Sequence, residues 1–266
     1  MMRDSKTIDA DLLERPLSPR SLVASLLLRT RPPRMRGSRL VQWCDLFGVA
    51  EGTTRVALSR MVERGELRSR DGTYELAGRV QSRRSAQDWS LDPEPVPWNG
   101  EWCMAVVTAG PRDAAERAAL RDAMRRVRCA ELREGVWTRP DNLLRASAPS
   151  EAWQTVAEQC SWWSGTPNGD AGLLVAELFD SEGWSTRAEM LTGRLHVVTR
   201  ALTAADDGSL AEGFVVGAAS VAHLRADPLL PVELVADART GELLRGAYRA
   251  YEQAFSAALR TWFRGH

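Results

Sequence analysis

The chain has 266 residues, of which 44% are hydrophobic and 26% charged, and its 35 basic and 35 acidic groups cancel. That length holds two or three ordinary domains, and no apolar run nears the ~20 residues that cross a bilayer. Its four cysteines, Cys44, Cys103, Cys129 and Cys160, form no C-x-x-C pair, which excludes a zinc or disulfide framework and points to reduced thiols in a cytoplasmic protein.

Met1 to Glu14 is polar and acidic, so it reads as a lead-in rather than a signal peptide. Residues 1–15 are expected to be disordered. Ser18-Pro19 opens a first helix, with Ser as cap and Pro at the first helical position. Leu22, Val23, Leu26 and Leu27 form its apolar stripe. Arg29 to Arg39 reads as a proline- and arginine-rich connection. Ser38 is expected to cap the next helix, where Leu40, Val41, Cys44 and Phe47 recur at helical spacing. After a turn through Gly48-Val49-Ala50, a further helix is expected over Thr53 to Arg64, ending at Gly65. Leu67 to Arg70, Asp71-Gly72 and Thr73 to Leu76 then read as a hairpin, because both residues of an Asp-Gly turn need positive φ. Helix, turn, helix and hairpin make a winged helix, whose second helix is the kind that enters the major groove. Gly78 to Asp88, with Arg79, Arg83 and Arg84, is expected to be a basic helix. The prolines of Asp92 to Pro97 mark a linker.

Charge sharpens this reading. Residues 15–87 carry fifteen arginines and six carboxylates, a net +9. Residues 88–266 carry 18 basic and 25 acidic side chains, a net −7. Such asymmetry points to nucleic acid at the basic end. On the recognition helix, Thr54, Leu58 and Met61 share the face that should pack inward. Thr53, Arg55, Val56, Ser59 and Arg60 lie opposite. Arginine reads the guanine O6/N7 edge and valine touches a thymine methyl. Arg68 and Arg70 on the wing, with Arg36 and Arg39 before it, are candidates for phosphate.

Beyond the linker, Trp102 to Val107 reads as a buried strand and Asp113 to Val127 as a helix. Ala130 to Leu132 and Val136 to Trp137 read as strands, Glu151 to Trp163 as a helix, and Gly172 to Phe179 as a strand. This order suggests a ferredoxin-like unit. Three helices follow, over Trp184 to Leu202, Ala211 to Ala226 and Arg239 to Phe263.

Four stretches carry a family resemblance. They are Gly52-Thr-Thr-Arg-Val-Ala-Leu-Ser-Arg-Met-Val62 with Arg64-Gly65 and the wing; Trp98-Asn-Gly-Glu-Trp102 leading into Val106-Val107; Leu132 to Pro140 with Gly135-Val136-Trp137 and Arg139-Pro140-Asp141-Asn142; and Arg225-Ala-Asp227-Pro228-Leu-Leu-Pro231-Val-Glu233-Leu234. In order and spacing they resemble the PaaX-like regulators, the phenylacetic-acid-degradation repressor family. The resemblance implies an α+β chain in three parts: a winged helix over 16–90, a ferredoxin-like middle domain over 98–179 akin to a CRISPR-associated endonuclease, and a helical C-terminal effector and dimerisation domain over 180–266. It implies a homodimer that binds double-stranded operator DNA and releases it when an aryl-acetyl coenzyme A thioester, such as phenylacetyl-CoA, binds. The chain departs from the family pattern at Ala238-Arg239-Thr240-Gly241, where a Trp-Pro-Gly-like turn is expected. Its first middle strand ends Val106-Val107-Thr108, without the metal-binding Asp of the nuclease relatives.

An acyl-CoA pocket needs an aromatic wall and cations for phosphates. Trp184, Arg187, Arg194 and His196 on one long helix are the candidates. No nucleophile–base, Walker or metal-ligand motif is present, so no enzyme activity and no cofactor are expected. Two other readings remain: an RNA-binding or nuclease-like protein using the ferredoxin-like unit, and an acyl-CoA-handling enzyme with an accessory DNA module.

Overall fold

The computed structural model describes residues 12, 17–30, 32–77, 88–144, 150–206, 208–236 and 239–265. The expected basic helix over Gly78 to Asp88, apart from Asp88 itself, and nearly all of the lead-in lie outside them. The chain divides into two compact units. The first comprises residues 1–85, 194–219 and 249–266; the second comprises residues 86–193 and 220–248.

The first unit begins with α1 (Pro19–Arg29). Ser18 and Ser21 form a reciprocal capping box and Pro19 occupies the first turn. β1 (Arg34–Arg36) follows, then α2 (Gly37–Asp45), α3 (Glu51–Glu63), β2 (Leu67–Arg70) and β3 (Thr73–Leu76). The three strands form an antiparallel sheet in the order β1-β3-β2. Asp71 and Gly72 both have positive φ, at 50° and 70°, as the hairpin requires. This is a winged helix.

Three local expectations are corrected here. The stretch Arg29 to Arg39 is not all connection, because Arg34–Arg36 pairs with Thr73–Glu75 as a third strand. Ser38 does not cap α2: the helix starts at Gly37 directly from the strand, with Arg36 at the cap position and no side-chain cap bond. The Gly37 N–H donates instead to the Gly72 carbonyl at 2.9 Å. α3 starts two residues before Thr53, at Glu51.

Leu22, Val23, Leu26, Leu27, Leu40, Cys44, Leu58 and Met61 close the winged-helix core. Trp43, not singled out from the sequence, is also fully buried. Its ring meets Phe47 at 5.1 Å, Phe214 at 5.2 Å, Phe255 at 6.3 Å and Trp262 at 6.4 Å, all edge-on. Arg29 lies over Phe255 at 5.0 Å and pairs with Glu252 at 2.5 Å. Within this unit, then, the winged helix is packed onto segments of the C-terminal helices.

The second unit contains β4 (Trp102–Val107), α4 (Ala114–Arg126), β5 (Ala130–Arg133), β6 (Val136–Pro140), α5 (Ser150–Gln159) and β7 (Cys160–Gly165). Sheet order β5-β6-β4-β7 with every pairing antiparallel is the ferredoxin-like arrangement. α4 and α5 cover it through Leu120, Met124, Val127, Ala152 and Val156.

Two element assignments differ from expectation. The helix expected over Glu151 to Trp163 stops at Gln159, and its tail is the edge strand β7. There Cys160 and Trp162 face inward in alternation with exposed Ser161 and Trp163. The strand expected over Gly172 to Phe179 is a helix, α6 (Ala171–Leu178). The Asp170 carboxylate caps it by accepting from the N–H groups of Gly172 and Leu173 at 2.7 and 3.1 Å. A short apolar run such as Leu-Leu-Val fits either element, and the cap decides.

α7 (Ser181–Thr203), α8 (Ser209–Arg225) and α9 (Thr240–Gly265) complete the chain. Segments of these three helices are shared between the two units. All four cysteines are free and buried. No helix among the described residues is long and apolar enough to cross a membrane.

Candidate nucleic-acid interface

α3 has two faces, as its sequence period requires. Thr54, Leu58 and Met61 are buried. Thr53, Arg55, Val56, Ser59 and Arg60 are all exposed, and Val56 leaves half its surface in solvent. Ala50 stands at the cap position and supplies no side-chain acceptor. The first N–H groups of α3 therefore have no side-chain cap, which suits an incoming phosphate.

The arginines on this surface are not equivalent. Arg55 pairs with Glu51 one turn earlier at 2.6 Å. Arg60 and Arg68 make no ion pair among the described residues. Arg70 lies 3.7 Å from Asp71 at the wing turn, with both side chains more than nine-tenths exposed. An exposed pair contributes little to stability, so a phosphate or a base can take over either guanidinium at small cost. Arg36 and Arg39 are exposed beside the wing root, and the Arg39 guanidinium lies 5.3 Å from the Phe263 ring. Glu66 is occupied elsewhere, accepting two hydrogen bonds from Arg20, at 2.7 and 3.0 Å, while Glu75 stands opposite both Arg34 and Arg68 in the sheet. The nine expected DNA-contacting residues thus all lie in one compact unit and all are exposed.

The expected effector residues are more dispersed. Trp184 is stacked on His223 at 4.8 Å, and its indole N–H donates to the His223 carbonyl at 3.2 Å. Burial lowers the pKa of His223. Arg194 lies 3.7 Å from Glu212, while Arg187 and His196 are exposed.

The third and fourth sequence stretches meet in the second unit, a role the residue pattern alone did not reveal. Arg139 donates through Nη2 to the Asn142 side-chain oxygen at 2.7 Å and to the Leu229 carbonyl at 3.1 Å. Asn142 donates to the same carbonyl at 3.0 Å. Leu229 has a φ of 52°, left-handed and unfavourable for a residue with a side chain. Asp227 fixes it by accepting from the Leu229 N–H at 2.8 Å and from Arg245 at 2.6 Å. These are structural locks. At the end of β4, Thr108 shares a hydrogen bond with Ser161 at 3.3 Å. Among the described residues no three His, Cys, Asp or Glu side chains are grouped to hold a metal ion.

Comparison with known proteins follows this architecture. Residues 18–80 match the model described as PaaX-like protein, and residues 95–166 match that of the PaaX protein central Cas2-like domain. An uncharacterized protein of Mycobacterium tuberculosis, Rv0674, is similar over 92% of this chain and 98% of its own, with 38% identity and a TM-score of 0.66. No curated protein matches. The chain belongs to the PaaX-like family, whose members are transcriptional regulators.

Proposed function

We propose that the protein is a cytoplasmic repressor that binds operator DNA as a homodimer. In this reading α3 lies in the major groove, with Arg55, Val56, Ser59 and Arg60 toward the bases and Thr53 toward a phosphate. Arg68 and Arg70 of the wing, with Arg36 and Arg39, hold the backbone. The observation that carries this reading is the exposed face of α3, flanked by exposed wing arginines. Two such helices related by a two-fold axis read a pseudo-palindrome with half-site centres about 10 bp apart, or a multiple of it. The test is to let the full-length protein select duplexes from a randomised pool and to footprint the product. Two related protected half-sites are expected. A single short site occupied by a monomer contradicts the proposal.

The same reading assigns release to an acyl-CoA-type effector, phenylacetyl-CoA or a relative, bound by residues of α7 among which Trp184, Arg187, Arg194 and His196 are the candidates. An effector shifts DNA affinity only by its preference for one state of the protein. Linkage is reciprocal, so the selected duplex should weaken effector binding by the same factor. Calorimetric titration of phenylacetyl-CoA with and without that duplex checks this. Equal affinity in both titrations would remove the effector from the account.

A further inference from the structure

An open cleft of about 930 Å³ lies between the start of α2 and the last turns of α9, inside the first unit. Five arginines line it, Arg34, Arg36, Arg39, Arg260 and Arg264, and no carboxylate among the described residues does. All five are exposed, and none makes an ion pair among the described residues. Glu75 stands opposite Arg34 in the β1–β3 pairing, outside the lining, so five guanidinium groups outnumber one nearby carboxylate and leave a positive potential that attracts a polyanion. The cleft also adjoins the wing. Arg36 stands opposite Thr73 in the β1–β3 pairing, and Gly37 is bonded to Gly72 of the wing turn. Its far wall is preorganised: Phe263 lies under Arg39 at 5.3 Å, and Arg264 donates to the Thr261 hydroxyl at 3.2 Å.

The geometry points to a phosphate track, in which Arg260 and Arg264 of the C-terminal helix join Arg34, Arg36 and Arg39 in gripping the duplex backbone flanking the bases read by α3. The inference rests on the DNA-binding reading and extends it to the other end of the chain. An open groove with every cation exposed suits a continuous backbone. A small ligand would be enclosed over most of its surface.

The test is the double variant Arg260→Gln/Arg264→Gln in the full-length protein, titrated with a duplex selected by the unmodified protein over a range of salt. Each lost phosphate contact lowers the slope of log affinity against log salt by about 0.9. The variant should therefore have a slope shallower by about 1.8, so that a fourfold rise in salt costs it about twelvefold less affinity than it costs the unmodified protein. Its ranking of base-substituted duplexes should stay the same. A slope and affinity equal to those of the unmodified protein would overturn the track, as would a changed ranking. So would an unchanged slope accompanied by binding of inorganic pyrophosphate to the unmodified protein and not to the variant, which would assign the cleft to a small phosphate ligand. A flat salt dependence of the unmodified protein would instead sink the DNA reading itself, and the track with it.

Discussion

Replacing Asp227 by asparagine should destabilise the second unit by about 3–5 kcal/mol, the usual result of stripping the counter-charge from a buried ion pair. Among the described residues Asp227 is the one buried carboxylate, and it faces three buried arginines, Arg128, Arg139 and Arg245. Burial already pushes the Arg128 pKa down to about 9, and the charge of Asp227 is what opposes that fall. Arg128 is held by the Trp89 ring at 4.9 Å and by the Ser90 hydroxyl at 3.1 Å, neither of which supplies a negative charge. Asparagine keeps the shape and an acceptor for the Leu229 N–H, but leaves the Arg245 guanidinium uncompensated. The midpoint of thermal unfolding should fall by roughly 10 °C. Adding Arg245→Met should recover part of the loss, because the charge that needed a partner is gone. A single variant as stable as the unmodified protein would show that the cluster is not held by charge.

Trp43→Ala should cost a similar amount in the first unit, about 3–5 kcal/mol. The indole is fully buried among Phe47, Phe214, Phe255 and Trp262, so truncation leaves a large cavity and removes four edge-on ring contacts. Trp43→Phe should cost far less. It fills much of the same space, and it removes an indole N–H that has no hydrogen-bond partner among the described residues. Chemical unfolding of both variants decides the matter. Equal losses would mean that size is not what Trp43 supplies. Because α2 supports α3, the alanine variant should also weaken DNA binding.

Much of the winged helix was legible in the sequence because its signals are local. Ser18-Pro19, Gly65 and Asp71-Gly72 act through their own backbone angles and caps. β1 was not legible. Three residues, Arg-Met-Arg, between two prolines and a glycine carry no strand pattern, and only pairing with β3 makes them a strand. In the middle unit the sequence order of strands and helices led to the right fold, but α6 and β7 were interchanged in type. Leu173 to Val175 is apolar enough for a strand and Glu151 to Trp163 periodic enough for a longer helix, so tertiary context had to choose. Trp43 was missed for a related reason. α2 is apolar on more than one side, and the layer that covers Trp43 comes from residues more than 170 positions away. Separation in sequence also hid Arg260 and Arg264. Nothing local marks the end of α9 as a neighbour of the wing. The outward face of α3 was legible, since the period that places Leu58 inward places Arg55 and Arg60 outward. The side-chain exchange between Arg55 and Glu51 is also a local feature, four residues apart.

Whether α3 reads base edges is decided by the affinity of Arg55→Ala and Arg60→Ala for the selected duplex and for a set carrying each single base-pair change. Losing a bidentate contact to guanine should cost about 1–3 kcal/mol on the selected duplex and flatten preference at one position, with the other positions unchanged. Arg60 should show the larger effect, because among the described residues it has no ion pair to give up, whereas Arg55 has Glu51. If both variants keep the full base preference of the unmodified protein, α3 is not the element that reads the bases.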